Sequence, residues 1–410
     1  MFRLPFLFIA TGMIGFVLFH LVSMISTFHW LFQDIRGPEG WFYTHLFVLG
    51  WATMLAMGAF YQLINVILQK DIYSRKLGYV HYAFFTVGLI GLLYGFLTFK
   101  TVWIGLFATL AFVGVILFAI NIFVTLFSAK KWDPITISVA CAVLYLVLTG
   151  LFGMWMGIHF WTGDRGTFHE QLFGAHIWLG TIGWFGLLIV GFSFKMLPMF
   201  YLAHHYPLRL QWATLITWNA AAIWGAVSFL LGGSYWTVWA SLVLLTIAIS
   251  LYTFHLYEIQ KHRVKPNPGY GILWSVTITR ALLVSSIGIV LYTVIFPNTF
   301  MHSKLVLIAG WIYLGGWVTL TILGYASKII PFLWWTQKYG KQAGRPGTPL
   351  MADLLNDRKV NNGMRVVVGS VLLLTVALII SSNVLIAVAG FAFSLSAISY
   401  MILIGRVFTR

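Results

Sequence analysis

Twelve histidines are the residues of this chain with the widest chemical reach, and they are not scattered evenly. His20, His29, His45, His159, His169, His176 and His302 gather toward one end of the apolar segments; His81, His204, His205, His255 and His262 gather toward the other. A neutral imidazole can offer one ring nitrogen to a metal while the other donates a hydrogen bond. Ionisable groups inside an apolar segment are costly, so those that persist there tend to mark function. His45 and His176 each lie about a turn inside the end of such a segment, and His20 reaches a similar depth on another. His159, His169 and His176 are near one another in sequence and on one side, which makes them a candidate three-imidazole copper site at the outer mouth. A single buried histidine is more often a hydrogen-bonded core residue than a ligand; two at matched depth carry more weight. The sequence holds no glycine-rich phosphate loop, Ser/His/Asp order or paired carboxylates. Its one cysteine, Cys141, lies in an apolar run and forms no thiolate cluster.

The elements that must position these histidines are set by composition. Of 410 residues, 60 % are hydrophobic and 8 % charged, against roughly 25 % charged in a soluble domain. Runs of about 20 apolar residues recur between short polar breaks, the length that spans a bilayer. The expected fold is therefore all-α, a polytopic bundle of about twelve transmembrane helices. Apolar periodicity places them near 4–27, 43–69, 79–99, 101–128, 134–158, 172–202, 210–231, 234–258, 271–296, 300–335, 363–380 and 383–405. The run through Thr27 is long and lacks a small-residue cleavage site, so it reads as a retained helix rather than a signal peptide.

The net charge of +16 is accounted for by topology. One set of alternate loops, with both termini, carries Arg3, Lys70, Arg75, Lys76, Lys130, Lys131, Arg209, Lys261, Arg263, Lys265 and the basic run from Lys338 to Arg365. The other set carries Arg36, Lys100, Arg165 and Lys304. The positive-inside rule puts the first set and both termini in the cytoplasm. The basic residues form no soluble stripe, so the implied partner is a lipid bilayer and no nucleic acid.

Three helices share columns at one fixed spacing of 133. Gly50-Trp51 returns as Gly183-Trp184 and Gly316-Trp317, with Gly58, Gly191, Gly324, then Gln62, Lys195, Lys328, then Asn65, Pro198, Pro331. This register predicts three four-helix units, about 1–133, 134–266 and 267–410, around a pseudo-threefold axis within one transmembrane domain. Lys195 and Lys328 sit toward the cytoplasmic ends of their helices and are expected to snorkel to the lipid surface.

The stretch His45-Leu-Phe-Val-Leu-Gly-Trp51, continuing through Gly58-Ala-Phe-Tyr-Gln-Leu-Ile64, resembles the haem-ligating helix of the cbb-type catalytic subunit in the haem-copper oxidase superfamily. His45 stands six residues before Trp51, and His176 stands eight before Trp184. By the resemblance, His45 is similar to the low-spin haem ligand, and His176 to the sixth-helix copper ligand. The chain departs from that family in its tenth helix, where Ala309 and Trp311 replace two haem ligands. It departs again in its seventh helix, which has no histidine. The resemblance thus extends to divergent relatives such as the NnrS-type membrane proteins linked to nitric oxide stress. It implies b-type haem on His45 and copper on His176; depth adds His176 and His20 as candidate haem ligands, and proximity adds His169 and His159 as candidate copper ligands. It also implies a multi-pass protein of a prokaryotic plasma membrane, served by a quinol or cytochrome electron donor or a partner subunit. The expected function is nitric oxide or redox handling, or electron transfer, without oxygen reduction. The competing classes are a quinol- or cytochrome-oxidase-like oxidoreductase and a transporter. Against transport, the sequence has no cluster of intramembrane acids.

Overall fold

A computed structural model describes residues 3–32, 35–163, 166 and 168–410. The described residues form helices and turns and no strand, with a single isolated antiparallel bridge between Ala203 and Arg263. Among the described residues twelve helices are long and apolar enough to cross a membrane, from Arg3–Ile25 to Asn383–Thr409. The chain is an all-α membrane-type bundle.

Local chemistry sets where these spans begin. Ser74 accepts a hydrogen bond from the Leu77 amide at 3.1 Å, so the third span starts at Arg75 rather than at the first apolar residues. Asp133 and Thr136 form a capping box ahead of Pro134, where a missing N–H costs nothing. Asn356 caps the Lys359 amide at 3.1 Å and moves the start of the eleventh span back to Asp357. Pro38 and Glu39 likewise open the second span, Pro38–Leu68, ahead of its apolar run.

Packing gathers the chain into two compact units. The first comprises Met1–Leu63, Asn267–Ile278 and Gly310–Arg410; the second comprises Ile64–Pro266 and Thr279–Ala309. In the first unit the opening span lies directly on the second: a Cβ at Gly12 would meet the Leu55 amide nitrogen at 3.0 Å, and one at Gly15 would collide with the Gly50 carbonyl. In lipid, where apolar burial between helices gains little, such backbone approach is a main source of association. Lys328, in the same unit, has a partner within the chain. Its ammonium pairs with Asp357 at 3.3 Å, and that carboxylate also accepts from the Tyr270 amide at 3.2 Å. To the position expected of Lys328 the structure adds a partly buried ion pair that ties the tenth span to the eleventh.

The repeat columns coincide with a backbone irregularity. Three π-helical segments interrupt the spans at Leu46–Thr53, Leu179–Gly186 and Trp311–Val318, each containing a Gly-Trp pair. A π turn admits one extra residue, which swings the side chains on either side by about 100° relative to a continuous α-helix. Such turns occur often at functional positions.

Candidate functional site

His45 stands seven residues after Pro38, immediately before the first π segment, and is half-buried. Its Nδ1 lies 2.8 Å from the Trp41 carbonyl oxygen one turn earlier. A carbonyl only accepts, so Nδ1 carries the proton and Nε2 carries the lone pair. This is the tautomer in which a histidine ligates metal through Nε2, with the carbonyl fixing the ring plane.

His176, in the second unit, repeats the arrangement with a different partner. It stands seven residues after His169 opens the sixth span, His169–Tyr201, three residues before the second π segment. Its Nδ1 donates to the Thr149 carbonyl of the fifth span at 2.8 Å. The ring occupies the space left by Gly153, where an added Cβ would lie 2.9 Å from Cε1 and 3.3 Å from Nδ1. Thr149 and Gly153 are therefore positioning residues that the sequence did not disclose. A threonine and a glycine in an apolar helix carry no signal of their own.

His20 is fully buried in the first unit, with Nδ1 3.0 Å from the Ser394 hydroxyl. The rings of Phe16, Phe393 and Phe19 surround it at 4.4, 4.8 and 5.0 Å. Its Nε2 has no hydrogen-bond partner among the described residues. The same holds for three other buried polar atoms of this region: Ser23 Oγ, one turn further along the helix, Trp51 Nε1 and Trp30 Nε1. Trp51 packs on Phe16 at 4.3 Å and Trp30 on Phe19 at 6.1 Å, so the four line one aromatic cluster. Each such atom costs about 1–3 kcal/mol when buried unsatisfied, and a native group of this kind calls for a bound polar partner. Trp51, the tryptophan of the motif, contributes to this cluster as an N–H donor, a role that spacing alone did not reveal.

The third constellation lies in the second unit, at the end of the fifth span and the start of the sixth. The rings of His159 and His169 come within 6.3 Å, which one ion bound about 2.0 Å from each ring nitrogen can bridge. His159 Nδ1 is buried without a hydrogen-bond partner among the described residues. His176, two turns beyond His169, is engaged by Thr149 instead. Among the described residues no group of three His, Cys, Asp or Glu side chains is gathered as a metal site.

The histidines toward the other ends of the spans are less superficial than their sequence neighbours imply. His81 is fully buried against Phe118 at 5.2 Å, and His255 is buried between Phe194 at 5.2 Å and Tyr206 at 5.7 Å. His204 and His205 stay exposed in the loop before Tyr206. Tyr206 lies outside the spans, and burial raises its hydroxyl pKa. No known protein family matches the chain by its sequence profile, and no curated protein matches it.

Proposed function

We propose that this membrane protein binds haem through His45, with His20 and His176 as further candidate ligands. In this reading it is a divergent relative of the haem-copper oxidase superfamily that binds nitric oxide or relays electrons. The observation that carries the reading is local and occurs twice: His45 and His176 each donate Nδ1–H to a backbone carbonyl just ahead of a π turn, leaving Nε2 as the basic nitrogen. His20 adds a fully buried Nε2 without a hydrogen-bond partner among the described residues, packed among the rings of Phe16, Phe19 and Phe393. Bound haem would supply one-electron chemistry and an iron for a diatomic ligand. The protein's own part is to orient the imidazoles, fix their tautomers and keep water from the ring. His159 and His169 are the residues through which copper would be held, with His176 as a third ligand only if its bond to Thr149 is given up.

The test is an optical spectrum with a pyridine haemochrome count on protein purified from haem-replete cells. A Soret band and visible bands that sharpen on reduction are expected. Protein without porphyrin, and unable to take it up on reconstitution, would sink the reading. Oxygen reduction is not expected. The seventh span has no histidine and Ala309 and Trp311 occupy the tenth-span positions; copper facing haem would then lack the imidazoles that hold it. Sustained oxygen uptake with quinol or reduced cytochrome, abolished by cyanide and by His176→Ala, would overturn that part.

The orientation assigned by the positive-inside rule has its own check. A cysteine introduced at Gly344, in the basic stretch between the tenth and eleventh spans, should resist an impermeant maleimide in intact cells and react after lysis. Cys141 must be replaced by serine in that background. Labelling in intact cells would invert the topology.

A further inference from the structure

We infer that the second unit carries a site for the phosphate of an anionic phospholipid, built from Arg280 and Arg263 around Gln260. The inference is independent of the haem reading. Arg280 lies ten residues into the ninth span, Tyr270–Ile295, about 15 Å along its axis. A charge at that depth is costly unless its stem carries it back toward the interface or a partner receives it. Its guanidinium donates to Gln260 Oε1 at the end of the eighth span. Gln260 Nε2 donates in turn to the Tyr201 hydroxyl at 2.8 Å, and Arg263 Nη1 donates to the Gln260 carbonyl at 2.7 Å. The Ala203–Arg263 bridge and the Lys265 amide on the Tyr201 carbonyl at 2.9 Å brace the same corner.

Gln260 thus receives Arg280 on its side-chain oxygen and Arg263 on its backbone carbonyl, and neither acceptor is a carboxylate. The acids at this end of the unit are engaged elsewhere: Asp71 with Arg75 at 3.3 Å, Asp133 with Lys131 at 3.4 Å and Glu258 with His262 at 3.7 Å. Among the described residues neither Arg263 nor Arg280 has an acidic partner. Lys261 and Lys265 add positive charge beside them. Two uncompensated cations at an interface attract an anion, and the planar donor fork of arginine matches a phosphate better than ammonium does.

The helix surface beyond Arg280 points to a lipid rather than a soluble anion. Val284, Ile287 and Leu291, four, seven and eleven residues on, form one exposed apolar stripe, with Val284 71 % exposed. Beside it a Cβ at Gly288 would meet nothing within 4 Å. On the eighth span, one turn before Gln260, exposed Tyr257 stacks on exposed Phe254 at 6.2 Å, as aromatic residues at a membrane interface do. A charged head with an apolar track running from it is the outline of an amphiphile.

Native mass spectrometry of the full chain, released from micelles holding equal phosphatidylglycerol and phosphatidylcholine, tests this. Wild-type protein should retain phosphatidylglycerol about tenfold over phosphatidylcholine, as two arginines near the surface permit. Arg280→Gln combined with Arg263→Gln should bring the ratio to near unity. Val284→Trp, at a position too exposed to disturb the core, should lower retention several-fold, and it decides the matter if the double variant fails to fold. Lys130→Gln, on a different turn, should change nothing. Equal retention of both lipids by wild type would overturn the proposal. So would millimolar inorganic phosphate stabilising the protein as fully as phosphatidylglycerol, a retained quinone in place of phospholipid, or a second chain covering the stripe.

Discussion

Replacing His45 with alanine should abolish the Soret band of the purified protein while leaving its yield and elution volume unchanged. Nδ1 is already committed to the Trp41 carbonyl, so the loss falls on Nε2, the nitrogen the proposal gives to iron. The ring is half-buried rather than sealed in the core, and alanine is the best helix former, so truncation leaves the second span intact. The Trp41 carbonyl is left with its ordinary helical partner. Added imidazole offers a second readout: if His45 supplied only packing, free imidazole would not restore the band, whereas a vacated ligand position would accept it. An unchanged spectrum and haem count in His45→Ala would refute the assignment. His45→Asn, similar in size, separates shape from basicity and should behave like alanine.

Gly15→Val should prevent accumulation of folded protein. A Cβ at Gly15 would enter the carbonyl of Gly50, and the obstacle is backbone within a π segment, not a side chain that can turn aside. Overpacking of an ordinary core costs about 1–3 kcal/mol because side chains yield. Here the first span must move off the second as a body, and with it Phe16 and His20 leave Trp51 and Ser394. The expected effect lies at or above the upper end of that range. Gly288→Val is the control, since nothing lies within 4 Å of the position. Fluorescence-detected size-exclusion chromatography after a temperature series compares them. Gly15→Val eluting and melting as wild type does would show that the contact is not required.

The spans were legible because lipid admits few solutions: an apolar run of about 20 residues must be a helix. Their starts were less so. Asp357 to Asn362 is polar and looks like loop, yet Asn356 caps it and the helix runs from Asp357. His45 and His176 could be placed by depth, since depth needs only a count along a helix. Their orientation could not, because the Trp41 and Thr149 carbonyls depend on ring rotation and on contact with another helix. The partner of Lys328 was hidden for a similar reason: Asp357 is 29 residues away and meets it only through packing. Arg280 was visible as an anomaly, but its bond to Gln260 was not.

The three π segments also bear on ancestry. Leu46, Leu179 and Trp311 begin them at intervals of 133 and 132 residues, the period of the repeat to within a residue. Insertions acquired independently would have no cause to fall in one column. On the proposed repeat of four-helix units, a single added residue in the repeating unit gives this register in one event. On that account the irregular turn belongs to the repeating unit, whereas His45 and His176, 131 residues apart, do not share a column.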